Sequence, residues 1–371
     1  MNNSNSHKQN EPRFTKTIRD DFKQLRFQSD IGSEYKDLKD YYLTDERKKK
    51  LESMSRLKRF FIIPWWLLKA LFFRLTPFRR ILLLFSILML LISGNSRIES
   101  GQVSIDLIGP GFIGGLVLLF ILALELKDKL LARTELEEGR AIQKALMPER
   151  SPKIYGWDIW LYTQSANEVG GDLLDLIKIN DNRYGLAIGD VSGKGLSAAL
   201  MMAKLQATIR ALAPDYNSLN DLGSKLNEIF QRDGIRKIFA SLLYLEFKPS
   251  AGEMEFINSG HYPPLIINKG NITQLEKDAP ALGILKSPSF HKQNLKLEKD
   301  QQIVLYSDGV TEAANEFREL FGNERLIKLL AENYQLNSES LGKKILDEIK
   351  MFAGNAKYQD DLTIAILKFT A

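Results

Sequence analysis

Aspartates recur where apolar, strand-like runs meet turns: Asp172 and Asp175 in EVGGDLLDLI, Asp190 in AIGDVSGKG, Asp308 in IVLYSDGVTEA, and the pair Asp360 and Asp361 in YQDDLTIAIL. A single strand-end aspartate is usually a turn or cap residue. Recurrence in a chain with no cysteine and only three histidines (His7, His261, His291) points instead to one shared cluster. Clustered carboxylates repel unless cations neutralise them, and hard oxygen donors select Mg2+ or Mn2+. Two such ions close together bind phosphate oxygens and activate water, and the sequence offers no other evident nucleophile. Without cysteine, disulfides, thiolate zinc sites and a thiol nucleophile are excluded.

The Gly-Lys step inside GDVSGKGLSAALMMA suggests a phosphate-binding loop, but the spacing rejects it. A Walker loop needs four residues between its first glycine and Gly-Lys, then a hydroxyl for Mg2+. Here three residues separate Gly189 from Gly193-Lys194, and Gly195 replaces the hydroxyl. What remains is Asp190 at a strand end, followed by a turn whose glycines let the backbone approach a ligand.

The elements that must position these acids follow from periodicity. WDIWLYT, RYGLAIGDV, ASLLYLEF, MEFINSG, PPLIIN, QQIVLYSDG and DLTIAILKF read as strands. GLSAALMMAKLQATIRALA, SLNDLGSKLNEIFQRD, NERLIKLLAEN and SESLGKKILDEIKMFAG read as helices. Strands come in blocks with helices grouped between them, which is an α+β pattern rather than regular alternation.

The first third of the 371 residues has another character. Residues 1–58 are polar and charged and read as a cytoplasmic arm. Residues 59–126 read as a membrane region: an interfacial stretch at 60–75, then transmembrane helices at about 78–94 and 107–125. Arg74, Arg79 and Arg80 precede the first span and Lys127, Lys129 and Arg133 follow the second, so both ends are expected on the cytoplasmic side of a multi-pass inner-membrane protein. Residues 127–150 read as a linker helix able to form a homodimer, ending at Pro148. The net charge of +5, with no basic stripe in the remainder, argues against nucleic acid as a partner.

EVGGDLLD, GDVSGKGLSAALMMA, NSGHYPPLI, LYSDGVTEAAN and DDLTIAIL, in this order, resemble the signature blocks of bacterial PPM-type (protein phosphatase 2C-like) serine/threonine phosphatases of the SpoIIE/RsbU branch. The resemblance covers about 138–369. It implies, over 151–371, a PPM phosphatase β-sandwich flanked by helices on both faces, with two Mn2+ or Mg2+ ions at one end. By the same resemblance Asp190 bridges both ions, the Val191 carbonyl and Asp172 serve one, and Asp308 and Asp360 hold the other. Asp190 and Asp308 then act on substrate through metal-bound water. Asp175, Gly171, Gly193 and Asp361 are expected in support. His261 is expected to pack a turn rather than act as general acid. No arginine stands in a phosphate-gripping motif.

The expectation is a membrane-anchored, metal-dependent serine/threonine phosphatase whose implied substrate is a phosphorylated STAS-type anti-anti-sigma protein in a partner-switching pathway. The competing expectation is a catalytically silent membrane receptor that uses the domain only to bind partners.

Overall fold

The computed structural model describes residues 47, 50–51, 54–92, 97–100, 103–106, 110–233 and 238–371; most of the polar arm expected over 1–58 lies outside them. Two compact units divide between Lys129 and Leu130.

In the first unit, helix α1 spans Arg56–Arg74 and α2 spans Pro77–Leu91. Strands β1 (Arg97–Ser100) and β2 (Val103–Asp106) form a short antiparallel pair. Helix α3, Pro110–Leu146, begins in the apolar run and continues into the linker segment. α2 and α3 pack as an antiparallel pair. The Ser86 hydroxyl donates to the Gly114 carbonyl at 2.7 Å, and Arg79 reaches Glu125 and Asp128 at 2.6 Å each.

The expected pair of transmembrane spans is corrected here. Among the described residues, α3 alone is long and apolar enough to cross a membrane. α2 has 15 residues, a rise of about 22 Å against a hydrocarbon core of about 30 Å. The second expected span and the linker segment form one continuous helix. No glycine or proline that would end a helix lies between Leu126 and Gly139, and strong helix formers carry α3 to Leu146, ahead of Pro148.

The second unit is built from two antiparallel five-stranded sheets. Its strands are β3 (Trp157–Gln164), β4 (Asp172–Asn180), β5 (Arg183–Val191), β6 (Ala240–Phe247), β7 (Glu253–Ser259), β8 (Leu265–Asn268), β9 (Asn271–Gln274), β10 (Gln293–Lys296), β11 (Gln302–Tyr306) and β12 (Leu362–Phe369). One sheet runs β10-β7-β6-β5-β4 and the other β3-β12-β11-β8-β9. Alternating residues of β3, β5, β6, β11 and β12, among them Ile159, Ile188, Leu243, Leu305 and Ala365, fill the layer between the sheets.

The opposite faces are closed by helices. α4 (Leu196–Leu212) and α5 (Leu219–Asp233) cover the first sheet through Met202, Leu205, Ile209, Leu222 and Leu226. A single turn, α6 (Asp308–Thr311), follows β11; α7 (Gly322–Glu332) and α8 (Ser338–Ala353) then cover the second sheet through Leu326, Leu330, Leu341 and Ile345. A sandwich with helices on both faces is the architecture expected from the sequence.

Candidate functional site

The acidic residues gather at one end of the sandwich because strand register puts them there. Asp172, the first residue of β4, lies directly opposite Asp190 near the end of β5. Asp172 is buried, and the Thr363 hydroxyl at the start of β12 donates to its Oδ2 at 2.5 Å. Beyond Asp190 the chain is tied down on both sides. The Val191 N–H donates to the Gly171 carbonyl at 3.3 Å, and the Ser192 N–H to the Phe239 carbonyl at 2.9 Å. The turn then needs two residues at positive φ, Gly193 at +106° and Gly195 at +72°, before α4 begins. Nothing crowds either position, so backbone conformation rather than space demands glycine there.

That turn aims Lys194 across the site. Its ammonium donates to the Gln359 carbonyl at 2.6 Å and lies 3.3 Å from the Asp360 carboxylate. Asp308 enters from the end of β11, where the Ser307 N–H bonds the Thr363 carbonyl and the Ser307 hydroxyl bonds the Asp361 carbonyl.

The charges of this cluster are poorly compensated. Burial, then the neighbouring Asp308, Asp360 and Asp361, push the Asp190 carboxyl up to about 7, against relief from Lys194. Burial and Asp360 likewise push Asp308 up to about 6. Asp172 is raised well above the usual carboxylate range, mainly by burial, with Asp190 and Asp361 adding to it. Among the described residues, no three Asp, Glu or His side chains are drawn in as a finished metal cage. The donors are nonetheless all oxygen, and burial and neighbouring carboxylates make Asp172, Asp190 and Asp308 hold protons tightly, which suits a hard divalent cation.

The structure brings Asp172, Asp190, Asp308, Asp360 and Asp361 together, with Gly171, Val191 and Gly193 in the adjoining backbone. Asp361 faces the chain rather than the opening: its Oδ1 accepts the Ala166 N–H at 2.8 Å and its Oδ2 the Gly171 N–H at 2.6 Å. Asp175 is not part of the cluster. Three residues along β4 from Asp172 it points to the opposite face, buried, where both its oxygens bond Arg210 of α4 at 2.7 Å. His261 is buried, as a turn-packing residue would be; burial holds its imidazole down to about 3, which keeps it uncharged.

Sequence reasoning missed several contributors. Thr363 and Ser241 are hydroxyls within apolar strands, Thr363 against Asp172 and Ser241 opposite Asp190; a polar residue interrupting LTIAIL or ASLLYLEF is the available signal. Gln143 of α3 gave no signal. Its side-chain amide donates to the Gly170 carbonyl at 2.8 Å and accepts the Gly170 N–H at 3.1 Å, tying the linker helix to the segment that leads into Asp172.

Residues 180–370 match the family model described as Stage II sporulation protein E (SpoIIE). The chain belongs to the SpoIIE family. Among its relatives, this SpoIIE-family chain is 29% identical over 276 residues to Protein IcfG of Synechocystis sp., covering 67% of this chain and 43% of that protein. It is 30% identical over 190 residues to the phosphoserine phosphatase RsbP of Bacillus subtilis, covering 49% and 46% respectively. The chain thus spans less than half the length of these two relatives. The SiaA-PP2C domain of Pseudomonas aeruginosa has a similar fold, with a TM-score of 0.58 at 18% identity, covering 66% of this chain and 98% of that domain.

Proposed function

We propose that this SpoIIE-family chain is a metal-dependent protein serine/threonine phosphatase, held at a membrane, whose substrate is the phosphorylated serine or threonine of a STAS-domain protein. The observation that carries the reading is the meeting of Asp172, Asp190, Asp308 and Asp360 at one end of a PP2C sandwich, with the proton affinities of Asp172, Asp190 and Asp308 raised by burial and by neighbouring carboxylates.

Asp172, Asp190, Asp308 and Asp360, with the Val191 carbonyl, would hold two Mn2+ or Mg2+ ions. When bound, these ions supply positive charge for the phosphoryl oxygens and acidify the attacking water. The Thr363 hydroxyl orients Asp172 for that task, and Lys194 supplies a positive charge beside Asp360. Beside the cluster, a cleft of about 610 Å³ between α3, residues 164–168 and residues 356–358 gives a phosphorylated chain room to approach. Arg133, Arg140 and Lys357 line it together with Glu137 and Glu168, which leaves one positive charge in excess.

Membrane attachment rests on α2 and α3. Leu84, Phe85, Phe112, Leu116, Leu119 and Leu122 are all exposed, an apolar surface suited to lipid. Further along α3, Leu130, Leu131 and Ile142 are also exposed, and a second copy of the helix would cover them in a homodimer.

The test is release of phosphate from a phosphorylated STAS protein by the full chain in detergent with Mn2+, beside Asp190→Asn. Turnover by the wild type and none by the variant is expected. An inactive wild-type chain, folded and metal-loaded, would return the silent-receptor reading.

A further inference from the structure

His261 is enclosed behind the acidic cluster, in contact with none of its carboxylates, yet it is wired to Asp190 through one intervening residue. Its Nδ1 lies 2.9 Å from the Ser241 hydroxyl, and that hydroxyl oxygen accepts the Asp190 backbone N–H at 3.2 Å. Register explains the meeting: Ser241 of β6 is the direct cross-strand partner of Asp190 on β5. The neighbouring Gly189 lets the strands approach this closely, since a Cβ there would collide with the Ser241 carbonyl oxygen. The imidazole is itself fixed by the β7 turn, where the His261 N–H donates to the Asn258 side chain at 2.8 Å.

Two directions satisfy the Ser241–His261 hydrogen bond, and they differ in which ring nitrogen holds the proton. With its oxygen accepting from Asp190, Ser241 keeps one proton and one lone pair, and His261 Nδ1 is the group in reach of either. The relay takes the direction in which Nδ1 accepts and the ring proton sits on Nε2. Nε2 is buried without a hydrogen-bond partner among the described residues, and the Tyr306 backbone favours a proton on the ring.

We infer that His261 is a positioning residue: through the Ser241 hydroxyl it fixes the Asp190 main chain, and with it the direction of the carboxylate toward Asp308 and Asp360. The inference rests on the phosphatase reading for its purpose but not for its geometry. Partners one step removed from metal ligands typically change metal affinity 10–100-fold when lost.

The experiment uses the full chain and two readouts that do not require turnover. With ¹⁵N-labelled histidine, long-range ring spectra report the tautomer; three histidines make His261 assignable by comparison with His261→Asn. The expected result is a ring protonated at Nε2 alone from pH 5 to pH 8, and a proton on Nδ1 would overturn the relay. Calorimetric Mn2+ titration then compares variants. Ser241→Ala and His261→Leu are each expected to weaken Mn2+ binding about tenfold. His261→Asn, whose side chain can place an acceptor near the Nδ1 position, is expected to remain within about threefold, and the double variant Ser241→Ala with His261→Leu is expected to be no weaker than either single one. Equal losses in Asn and Leu, or additive losses in the double variant, would show that His261 only packs the turn. A wild type that binds no Mn2+ defeats the phosphatase reading, while the ring spectra still decide the relay.

Discussion

The Asp361 carboxylate holds the Gly171 backbone, accepting its N–H at 2.6 Å, whereas Asp360, one residue earlier, turns toward Lys194 and the acidic cluster. Gly170 is part of the same arrangement, because a Cβ there would run into Asp361 Oδ2. Adjacent acids thus have separate tasks: Asp361 closes the loop between β3 and β4, and Asp360, whose Oδ1 accepts the Asp361 N–H at 3.2 Å, turns its Oδ2 to Lys194.

That division predicts opposite phenotypes. Asp361→Ala leaves the Ala166 and Gly171 N–H groups without an acceptor and is expected to destabilise the fold by about 2–4 kcal/mol. Asp360→Ala is expected to change stability by less than about 1 kcal/mol while weakening Mn2+ binding at least tenfold. Thermal melts in EDTA and calorimetric Mn2+ titrations read the two effects separately. A variant pair with the phenotypes exchanged would make Asp361 the ligand.

Asp175 gives the complementary case. Its buried carboxylate is matched by the Arg210 guanidinium, so Arg210→Met strands a charge in the interior and is expected to cost about 3 kcal/mol. Mn2+ affinity, measured on the remaining folded protein, is expected to stay within twofold. A large loss of metal binding at unchanged stability would place Asp175 back in the cluster.

The raised carboxyls make metal-free stability depend on pH with a defined sign. Asp190 at about 7 and Asp308 at about 6 bind protons more tightly in the folded chain than the ordinary value of 3.8. Both groups favour the folded state fully below about pH 4, and that contribution is lost as pH rises through about 6 to 7. In EDTA the chain should therefore melt at a higher temperature at pH 5 than at pH 8, by an amount corresponding to roughly 2 kcal/mol after solvent screening. Mn2+ should reverse the order, since its ligands must be deprotonated. A melting temperature that is flat over this range in EDTA would show that the carboxylates are not mutually strained.

The sandwich and the acids were legible in the sequence for a common reason. Apolar runs such as AIGDV and IVLYSDG end in an acid, and a strand buried on both faces can release a charge only at its end. Asp175 misled because it shares the DLLD stretch with Asp172; an offset of three along a strand reverses the face, which spacing alone should have excluded. Gln143 and Ser241 stayed hidden because their partners are backbone groups or residues far along the chain, and the bonds exist only once the sheets have formed. Hydropathy marks where the apolar run ends at Leu126, but helix propensity does not end there, so one helix carries both the apolar run and the linker segment.

The membrane reading makes a topological prediction that the chain is well suited to test, because it contains no cysteine. α2 and α3 pack antiparallel, with Arg79 of one against Glu125 and Asp128 of the other, so the start of α2 and the middle of α3 lie at the same level. Among the described residues α3 alone is long and apolar enough to cross unaided, so whether α2, with a rise of about 22 Å, accompanies it depends on local thinning of the bilayer. Single cysteines at Ser55, Ser104 and Arg150 report this directly with a membrane-impermeant maleimide. Ser104→Cys is expected to react in intact cells, and Ser55→Cys and Arg150→Cys only after lysis. Reaction of Ser55→Cys in intact cells would mean that α3 crosses alone, and reaction of none of the three would leave the pair lying on the cytoplasmic face.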